Sequence, residues 1–502
     1  MKITEKLNQK QTILAILVII MALILLIILL LDLSKKDQTG ASSKITTAKI
    51  NVSTSINNSD EKIVWSELPI TTISLENKHE ITEPGTYILT GSLTDNYLKV
   101  NTLGDVKLIF SGINISNNSG PAIYIENANH TVIELSAETI SRLSDGKIYQ
   151  DLPSNINATI YSEDDLVIQG TGTLEITANK EDAIVSKNNL KIISGTYNIT
   201  SIDDGLRGKD STYIKSGSFN IDSGGDSIKS SRGFIAIDNG TFNLTTSKDG
   251  IQSSKDLLIK NGTFNITSKN DSLLDYSMEQ PSTKGIKATG NILIRNALMN
   301  IKTLDDALHS DKSIAITKGT YSFLSLDDAI NAKDKLIIDG GNIDIPKSVK
   351  GLKANYIIIN NGTLNITATD QEISKKAKLY IYGGTTSLST LETKTTLADY
   401  KGFFNINKGT LIIFSNEELI SSLRTTSNIK VLAISFDKEY QEGATITLLK
   451  GEEVILTYHS RKNFRNLLIA SSTLTEKDNY QLKINNKLYK NIKLSSHVTT
   501  IK

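Results

Sequence analysis

The sequence has no cysteine, one tryptophan and six prolines among its 502 residues. The absence of cysteine excludes disulfide bonds, thiolate metal sites, a cysteine nucleophile and lipidation at cysteine. The formal net charge is only +1, so the chain lacks the excess of Lys and Arg that nucleic-acid binding requires. We therefore expect no nucleic-acid partner. The residues that dominate, such as Ile, Asn, Ser, Thr and Gly, favour strands and tight turns and indicate an all-β protein.

A long apolar run lies near the N-terminus, at residues 13–31. Its 19 residues contain no charge, and a helix of that length, at about 1.5 Å per residue, spans roughly 30 Å of hydrocarbon. We interpret it as a transmembrane signal anchor, with residues 1–12 in the cytoplasm and the rest of the chain outside the cell. The alternative is a cleaved signal peptide, whose apolar stretch is usually shorter. The anchor predicts a single-pass cell-membrane protein with an extracellular body.

Composition divides the rest of the chain into three parts. Residues 32–60 are polar and lack apolar periodicity, so we assign them to a linker. Residues 61–374 contain an internal repeat, preceded by a cap. Residues 375–502 contain longer alternating segments such as EEVILTYHS, which indicate a C-terminal β-rich capping or accessory domain.

The repeat has a period of about 22 residues, as in DDGLRGKDSTYIKSGSFNIDS from Asp203. Each unit contains three short alternating segments of the form I-x-S, L-x-I and F-x-I. The first apolar residue of the unit recurs at Ile184, Leu206, Ile228, Ile251, Ile286, Leu308, Ile330 and Leu352. One unit cannot bury its apolar face alone, whereas stacked units share a continuous interior. The pattern predicts a right-handed parallel β-helix with three strands per coil.

Two further columns follow from the alternation within the F-x-I segment. The aromatic column is in phase with apolar residues such as Ile199 and should face inward. It consists of Tyr197, Phe219, Phe242, Phe264 and Tyr321. The residues between should face outward, as a solvated or hydrogen-bonded ladder. They are Asn198, Asn220, Asn243, Asn265 and Asn300.

Acidic residues occupy the turn before the I-x-S segment of most units. This acidic row consists of Asp182, Asp204, Asp226, Asp249, Asp306 and Asp328, doubled by Glu181, Asp203, Asp305 and Asp327. Adjacent coils lie about 4.8 Å apart, where two carboxylates repel by about 3 kcal/mol at an effective dielectric constant of about 20. We therefore predict bound Ca²⁺, a hard cation that suits oxygen ligands on flexible turns. The alternative is that each Asp only stabilises its turn.

Some residues depart from the acidic row or lie outside it. Lys284 and Lys350 replace the acid in two coils, where an ammonium group would take the place of a metal ion. A looser second row follows six or seven residues later, at Asp210, Asp256 and Asp334. The five histidines share no metal-ligand spacing, so we expect no zinc site.

Two insertions interrupt the period, at residues 138–156 and 270–282. Both fall at the corner that bears the acidic row, so they should flank a trough above it. Tyr149, Tyr161 and Tyr276 lie in or beside these insertions and are our candidates for stacking against sugars.

The motif D-D-[GA]-[IL]-x-[SA] followed by G-[TS]-[FY]-N-[IL], with the C-terminal segment GATITLLKGEEVILTYHSRKNFRNLLIASSTL, resembles a known family. It is similar to the bacterial cell-surface carbohydrate-binding domain-containing proteins, a pectate-lyase-like group. The resemblance implies a calcium-containing parallel β-helix that binds cellulose or polygalacturonate. It implies Ca²⁺ at the acidic turns of this chain: Asp203, Asp204, Asp226, Asp249, Asp305, Asp306, Asp327 and Asp328.

Two other functions are compatible with the sequence. A pectate-lyase-like polysaccharide lyase would need a base to remove the proton next to the uronate carboxyl, and Arg207 is the candidate. Because arginine is almost always protonated in proteins, we predict binding rather than catalysis and assign no catalytic residue. A structural adhesin without a specific glycan is the second alternative.

Overall fold

A computed structural model describes residues 50–76, 79–269, 282–374, 376–390, 404–416, 429–494 and 496–501. They belong to one compact unit that runs from Ile50 to Lys502. The proposed anchor at residues 13–31 and Tyr276 lie outside the described residues. Within the described part of the chain, no helix is long and apolar enough to cross a membrane.

The body is an all-β parallel β-helix in which a full coil contributes one short strand to each of three sheets. Alternation explains the strands, because the Ile, Leu and Phe side chains of each segment point into one shared interior. Residues one period apart are paired, as Ile184 is with Leu206 and Tyr197 with Phe219. The predicted all-β parallel β-helix and its three strands per coil are confirmed.

Sheet 1 is formed by the I-x-S segments and has 13 strands among the described residues. They are Glu80–Ile81, Leu98–Asn101, Ile123–Asn127, Ala158–Ser162, Asp182–Ser186, Leu206–Gly208, Ile228–Ser230, Ile251–Ser253, Ile286–Ala288, Leu308–Ser310, Asp328–Ala332, Lys350–Lys353 and Gln371–Ile373.

Sheet 2 is formed by the L-x-I segments and has 15 strands in the same described ranges. They are Ile70–Ser74, Gly85–Thr90, Asp105–Phe110, His130–Leu135, Leu166–Gly170, Asn189–Ile192, Ser211–Ile214, Phe234–Ile237, Leu257–Ile259, Ile292–Ile294, Ile314–Ile316, Lys335–Ile338, Tyr356–Ile359, Lys378–Ile381 and Phe404–Ile406.

Sheet 3 is formed by the F-x-I segments. Its parallel strands are Ser92–Thr94, Asn114–Ser116, Ile140–Ser144, Thr173–Ala178, Thr196–Ser201, Ser218–Ser223, Thr241–Thr246, Thr263–Ser268, Leu298–Thr303, Thr320–Ser325, Asn342–Lys347, Thr363–Ala368, Thr385–Thr390 and Thr410–Ser415. Sheets 2 and 3 begin before residue 100, so residues 70–100 belong to the coils and not to a separate cap.

The aromatic column lies inside the coils, as predicted. Tyr197, Phe219, Phe242 and Phe264 have no exposed surface, and their rings are stacked with successive centroid distances of 4.9, 4.8 and 4.6 Å. A glycine two residues before each ring makes room for it. At Gly240, φ is +142°, and an added Cβ would lie 2.9 Å from the ring of Phe242.

The coils continue beyond residue 375, where we had predicted that the helix ends. Leu379 pairs in parallel with Ile357 and with Phe404, and the helix reaches Thr410–Ser415. The predicted boundary was wrong; it coincides with the end of sheet 1 at Ile373 and not with the end of the helix. The acidic turn that marks the repeat is lost there, while the strands of sheets 2 and 3 persist.

The remainder of the C-terminal part is the β-rich accessory region that we expected. Phe464–Ser471 pairs antiparallel with the last coil and with Lys430–Tyr440, which also pairs with Val498–Ile501. Four antiparallel strands then form sheet 4: Glu453–His459, Thr445–Lys450, Asn479–Ile484 and Lys487–Lys493. This region has its own apolar core, which includes Phe414, Phe436 and Phe464.

The end of the predicted linker, from residue 50 to residue 60, contacts the outer face of sheet 2. Its Val52 and Ile56 pack against an apolar patch that includes Tyr213. Its Asp60 bonds the buried Lys191 at 3.0 Å. Two 3₁₀ turns lie at the end of this segment and just after it, at Ser59–Lys62 and Trp65–Glu67. This part of the linker is therefore packed on the body, because its few apolar residues match an apolar patch that the sequence did not reveal.

Candidate functional site

The acidic row lies where each coil enters sheet 1, as predicted, but it is not exposed. Its six aspartates, from Asp182 to Asp328, are between 0 and 4% exposed. Charged groups at this depth persist only when they are bonded or paired. The contacts of each carboxylate therefore decide what the row can do.

In five of the six aspartates, from Asp182 to Asp306, one carboxylate oxygen accepts a hydrogen bond from the backbone of the next coil. Asp182 accepts a hydrogen bond from the backbone N–H of Asp204, and Asp204 accepts one from the N–H of Asp226, both at 2.9 Å. Asp226, Asp249 and Asp306 repeat the contact at 2.9, 2.8 and 3.1 Å. These bonds explain why the acids recur with the coil period. They also support the alternative interpretation, in which each Asp stabilises a turn.

The second oxygen faces a positively charged or polar side chain on the outer face of sheet 1. Arg207 lies 2.7 Å from Asp182, and Lys229 lies 3.0 Å from Asp204 and 2.8 Å from Asp226. We call the set the basic column; it consists of Arg207, Lys229, Lys287, His309 and Lys353. The repulsion that we expected along the row is therefore relieved largely by the chain's own side chains.

The electrostatics of the row follow from its burial. Burial raises the pKa of Asp182 to about 7, although Arg207 opposes the shift. Burial also raises the pKa of Asp226, with Lys229 acting in the opposite direction. Burial alone would lower the pKa of Lys229, but Asp204 and Asp226 more than offset this and raise it. Lys229 is therefore held protonated at neutral pH.

Within the described part of the chain, two groups of three carboxylates come close enough to share a cation. Asp182, Asp203 and Asp204 form one group, and in each group the ligand oxygens lie within 4.8 Å of one another. In this first group every carboxylate already faces a cation, since Lys248 bonds Asp203 at 2.9 Å in addition to the pairs above. A metal ion here would have to displace Arg207 or a lysine.

The second group is Asp305, Asp306 and Asp327. Asp305 bonds Lys284, and Asp306 lies 2.7 Å from His309. Among the described residues Asp327 has no salt bridge, and burial together with its acidic neighbours raises its pKa. A group of oxygen ligands in which one carboxylate has no positively charged partner fits a hard divalent ion. The second group therefore fits Ca²⁺ better than the first.

The lysines that replace the acid lie where an ammonium group was expected. Lys284 bonds Asp305, and Lys350 lies 3.4 Å from Asp328. The looser second row behaves as turn residues: Asp210 pairs with Arg232 at 3.1 Å, and Asp256 accepts a backbone hydrogen bond at 2.8 Å. Asp334 lies 3.8 Å from Lys335.

The two candidate stacking tyrosines that the structure describes, Tyr149 and Tyr161, are not exposed platforms. Tyr161 is fully buried, in a cluster with Tyr124, beneath residues of the first insertion. Tyr149 donates its hydroxyl to Asp145 at 2.6 Å, and the ammonium of Lys180 lies 4.0 Å from its ring centroid. The expectation was wrong for Tyr161 because the insertion folds over the ring instead of standing beside the trough.

A cavity of about 250 Å³ opens on the outer face of sheet 1. In the order of the coils it lies between the first group of three carboxylates and the second. It is lined by Asp226, Lys229, Lys248, Asp249, Gln252, Ser282 and Lys287. The aspartates lie at its base, whereas Lys229 and Lys287 are about a quarter exposed and Lys248 nearly half exposed. A ligand that enters this cavity meets ammonium groups first.

Comparison with known proteins shows to which family the chain belongs. The model of the family described as "Carbohydrate-binding domain-containing protein" matches residues 76–325 and 314–463. These matches extend over most of the chain, so the protein belongs to this family, and the resemblance noted from the sequence is confirmed.

Two relatives can be described. A carbohydrate-binding domain-containing protein of Acetivibrio thermocellus is 37% identical over 130 residues, which are 25% of this chain and 45% of that protein. The chain thus spans less than half the length of that relative. A solved structure titled a polysaccharide lyase-like protein from C. thermocellum, gadolinium derivative, has 24% identity and a TM-score of 0.30, covering 53% of this chain and 83% of its own.

Proposed function

We propose that the protein binds an acidic polysaccharide along the outer face of sheet 1, with the help of Ca²⁺. The observation that supports this most directly is the cavity lined by Lys229, Lys248 and Lys287, in a chain of a carbohydrate-binding family. We further propose that residues 13–31 anchor the body to the cell membrane, with the binding face outside the cell.

The distribution of charge favours an anionic ligand. Within the cavity the acids Asp226 and Asp249 are buried, and the charged groups that reach its surface are Lys229, Lys248 and Lys287. A uronate carboxylate can therefore approach ammonium groups without first meeting the acids. Charge-assisted hydrogen bonds of this kind are among the stronger polar contacts.

A polysaccharide lyase is less well supported than a binding protein. Removal of the proton next to a uronate carboxyl needs a group that can accept it. Arg207 is bonded to Asp182 at 2.7 Å, and Lys229 is held protonated by Asp204 and Asp226. Neither is free to act as a base at neutral pH. Unsaturated product from polygalacturonate that disappears in Arg207→Ala would reverse this preference.

Retention on polygalacturonate tests the binding face. Two neutralising substitutions in the cavity, Lys248→Gln with Lys287→Gln, should weaken retention roughly tenfold, because each lost contact with a carboxylate costs up to about 1 kcal/mol. Retention of the wild-type and variant proteins would be measured on immobilised polygalacturonate in buffer with Ca²⁺.

The matched control removes two exposed lysines from the same helix, Lys255→Gln with Lys312→Gln, which are not among the cavity's lining residues. It should bind like the wild-type protein. Equal weakening by both variants would reduce the effect to net charge and contradict the proposed site. Absence of binding to every glycan on a broad array would favour an adhesin that recognises protein.

Calcium binding is tested by thermal unfolding. We expect EDTA to lower the melting temperature and added Ca²⁺ to restore it, with a dissociation constant on the order of 10⁻⁴ to 10⁻³ M. At ten times that constant the ion adds about 1.4 kcal/mol to the stability of the folded state. The response should shrink in Asp327→Asn, which removes the carboxylate without a salt bridge.

Asp334→Asn provides the calcium control, since Asp334 is an exposed acid outside both groups of carboxylates. Its calcium response should equal that of the wild-type protein. An unaltered response in Asp327→Asn would exclude the second group as the calcium site.

A further inference from the structure

The outer face of sheet 3 has a regular polar surface that the proposed function does not use. Over five coils, from Thr173–Ala178 to Thr263–Ser268, the outward positions are almost all Thr, Asn or Ser. We call this surface the asparagine face. Its central column consists of Asn198, Asn220, Asn243 and Asn265.

The amides of this column are fixed by one another. Asn220 donates to Asn198 at 3.0 Å, Asn243 donates to Asn220 at 2.8 Å, and Asn265 donates to Asn243 at 2.9 Å. An amide side chain has two N–H donors and an oxygen with two lone pairs. Within the ladder each interior amide uses one donor and one lone pair, so one of each is left for a ligand at every coil.

The spacing of these free groups is that of neighbouring strands, about 4.8 Å. Successive sugars of an extended glycan chain recur at a similar distance and present hydroxyl groups that both donate and accept hydrogen bonds. Since the ladder holds the amides in place before binding, little side-chain freedom is lost when a ligand arrives. The column is therefore prepared to bind a polymer that runs along the helix axis.

A distant part of the same column shows how one of its amides bonds a hydroxyl group. Farther along the helix it continues through Asp344 and Asn365, which are in register with the preceding coils. There the C-terminal region covers it: the hydroxyl of Tyr458 donates to the amide oxygen of Asn365 at 2.7 Å, and Arg461 bonds Asp344. At Asn365 an amide oxygen of this column therefore accepts a hydrogen bond from a hydroxyl group of the chain itself.

The open part of the asparagine face contains a groove of about 490 Å³. Asn198, Asn220 and Asn243 line it. Its two acids are neutralised, since Asp222 bonds Lys269 and Glu175 lies 2.9 Å from Arg142. The groove therefore offers hydrogen bonds without a net charge, unlike the cavity on sheet 1.

We propose that the asparagine face is a second binding site, which takes an extended, uncharged polysaccharide through its hydroxyl groups. It is independent of the acidic glycan proposed for sheet 1, because the two surfaces lie on different sheets and share no residue. One molecule can then hold two kinds of polymer.

The test uses the full chain and insoluble cellulose, an uncharged linear glycan. The double variant Asn220→Ala with Asn243→Ala should be retained on cellulose at least tenfold more weakly, because it removes two amides and breaks the ladder. Its retention on polygalacturonate and its melting temperature should be unchanged, since both side chains are exposed.

The matched control is Asn239→Ala with Asn261→Ala, a second pair of exposed, stacked asparagines that bond at 3.3 Å outside the groove. It should bind cellulose like the wild-type protein. Unchanged cellulose retention in the first variant, equal loss in both variants, or no retention of the wild-type protein would overturn the proposal. Failure of the sheet 1 site would instead appear as lost binding to polygalacturonate.

Discussion

Replacement of Phe242 with alanine should lower the free energy of unfolding by about 3–5 kcal/mol. The ring has no exposed surface and is stacked between Phe219 at 4.8 Å and Phe264 at 4.6 Å. Its removal leaves a cavity that neighbouring coils cannot fill, because their positions are fixed by the strand pairing of three sheets. Denaturant-induced unfolding, followed by circular dichroism, measures the change.

Thr241→Ala is the control for this substitution, since Thr241 is the exposed neighbour on the same strand. Its effect should stay within about 0.5 kcal/mol. Because coils contact mainly their neighbours, the loss of stability should be confined to the coils around Phe242. These coils can then unfold in a separate transition at lower denaturant concentration. A loss below about 1 kcal/mol would show that the aromatic column does not support the core as described.

Asp204→Ala should cost about 3 kcal/mol, measured in EDTA so that no bound ion contributes. The substitution leaves the N–H of Asp226 without its acceptor at 2.9 Å and removes a carboxylate next to Lys229 and Arg207. Breaking a buried pair is costly because the remaining charge stays in place. The partial exposure of both cations keeps the loss at the lower end of the range for such pairs.

Asp203→Ala is the matched control one residue away. Asp203 is about one-third exposed and pairs with Lys248, itself nearly half exposed. A surface pair of this kind contributes about 0–1 kcal/mol. If the two substitutions had equal effects, the buried ladder of carboxylates would not stabilise the turns.

The period of the sequence was sufficient to predict most of the fold. A 22-residue repeat places equivalent residues in one column, so the inward position of Phe219 and the outward position of Asn220 both followed from alternation. The end of the helix did not follow, because the repeat was recognised from complete units of three segments, most of them with an acidic turn. That turn disappears after Ile373, although strands such as Lys378–Ile381 still continue the coils.

The candidate site was harder to predict, since alternation says nothing about residues in turns. The position of the acidic row was predicted, but its burial and its hydrogen bonds to the next coil were not. The basic column left a signal that could have been used: Arg207, Lys229 and His309 each follow an aspartate of the row by three residues. The burial of Tyr161 had no such signal in the sequence, because the path of an insertion over the body cannot be predicted from its residues.

The segment of residues 50–67, which packs on the outer face of sheet 2, has a mechanical consequence. It bonds Asp256 through Ser53, then Asp165 through Asn57, and reaches Lys107 through Trp65, so it runs back along the helix against the order of the coils. Tension applied at residue 50 would therefore pull first on contacts in the middle of the helix and load them in shear. The first coil would be shielded from the peeling force that unzips strands one at a time.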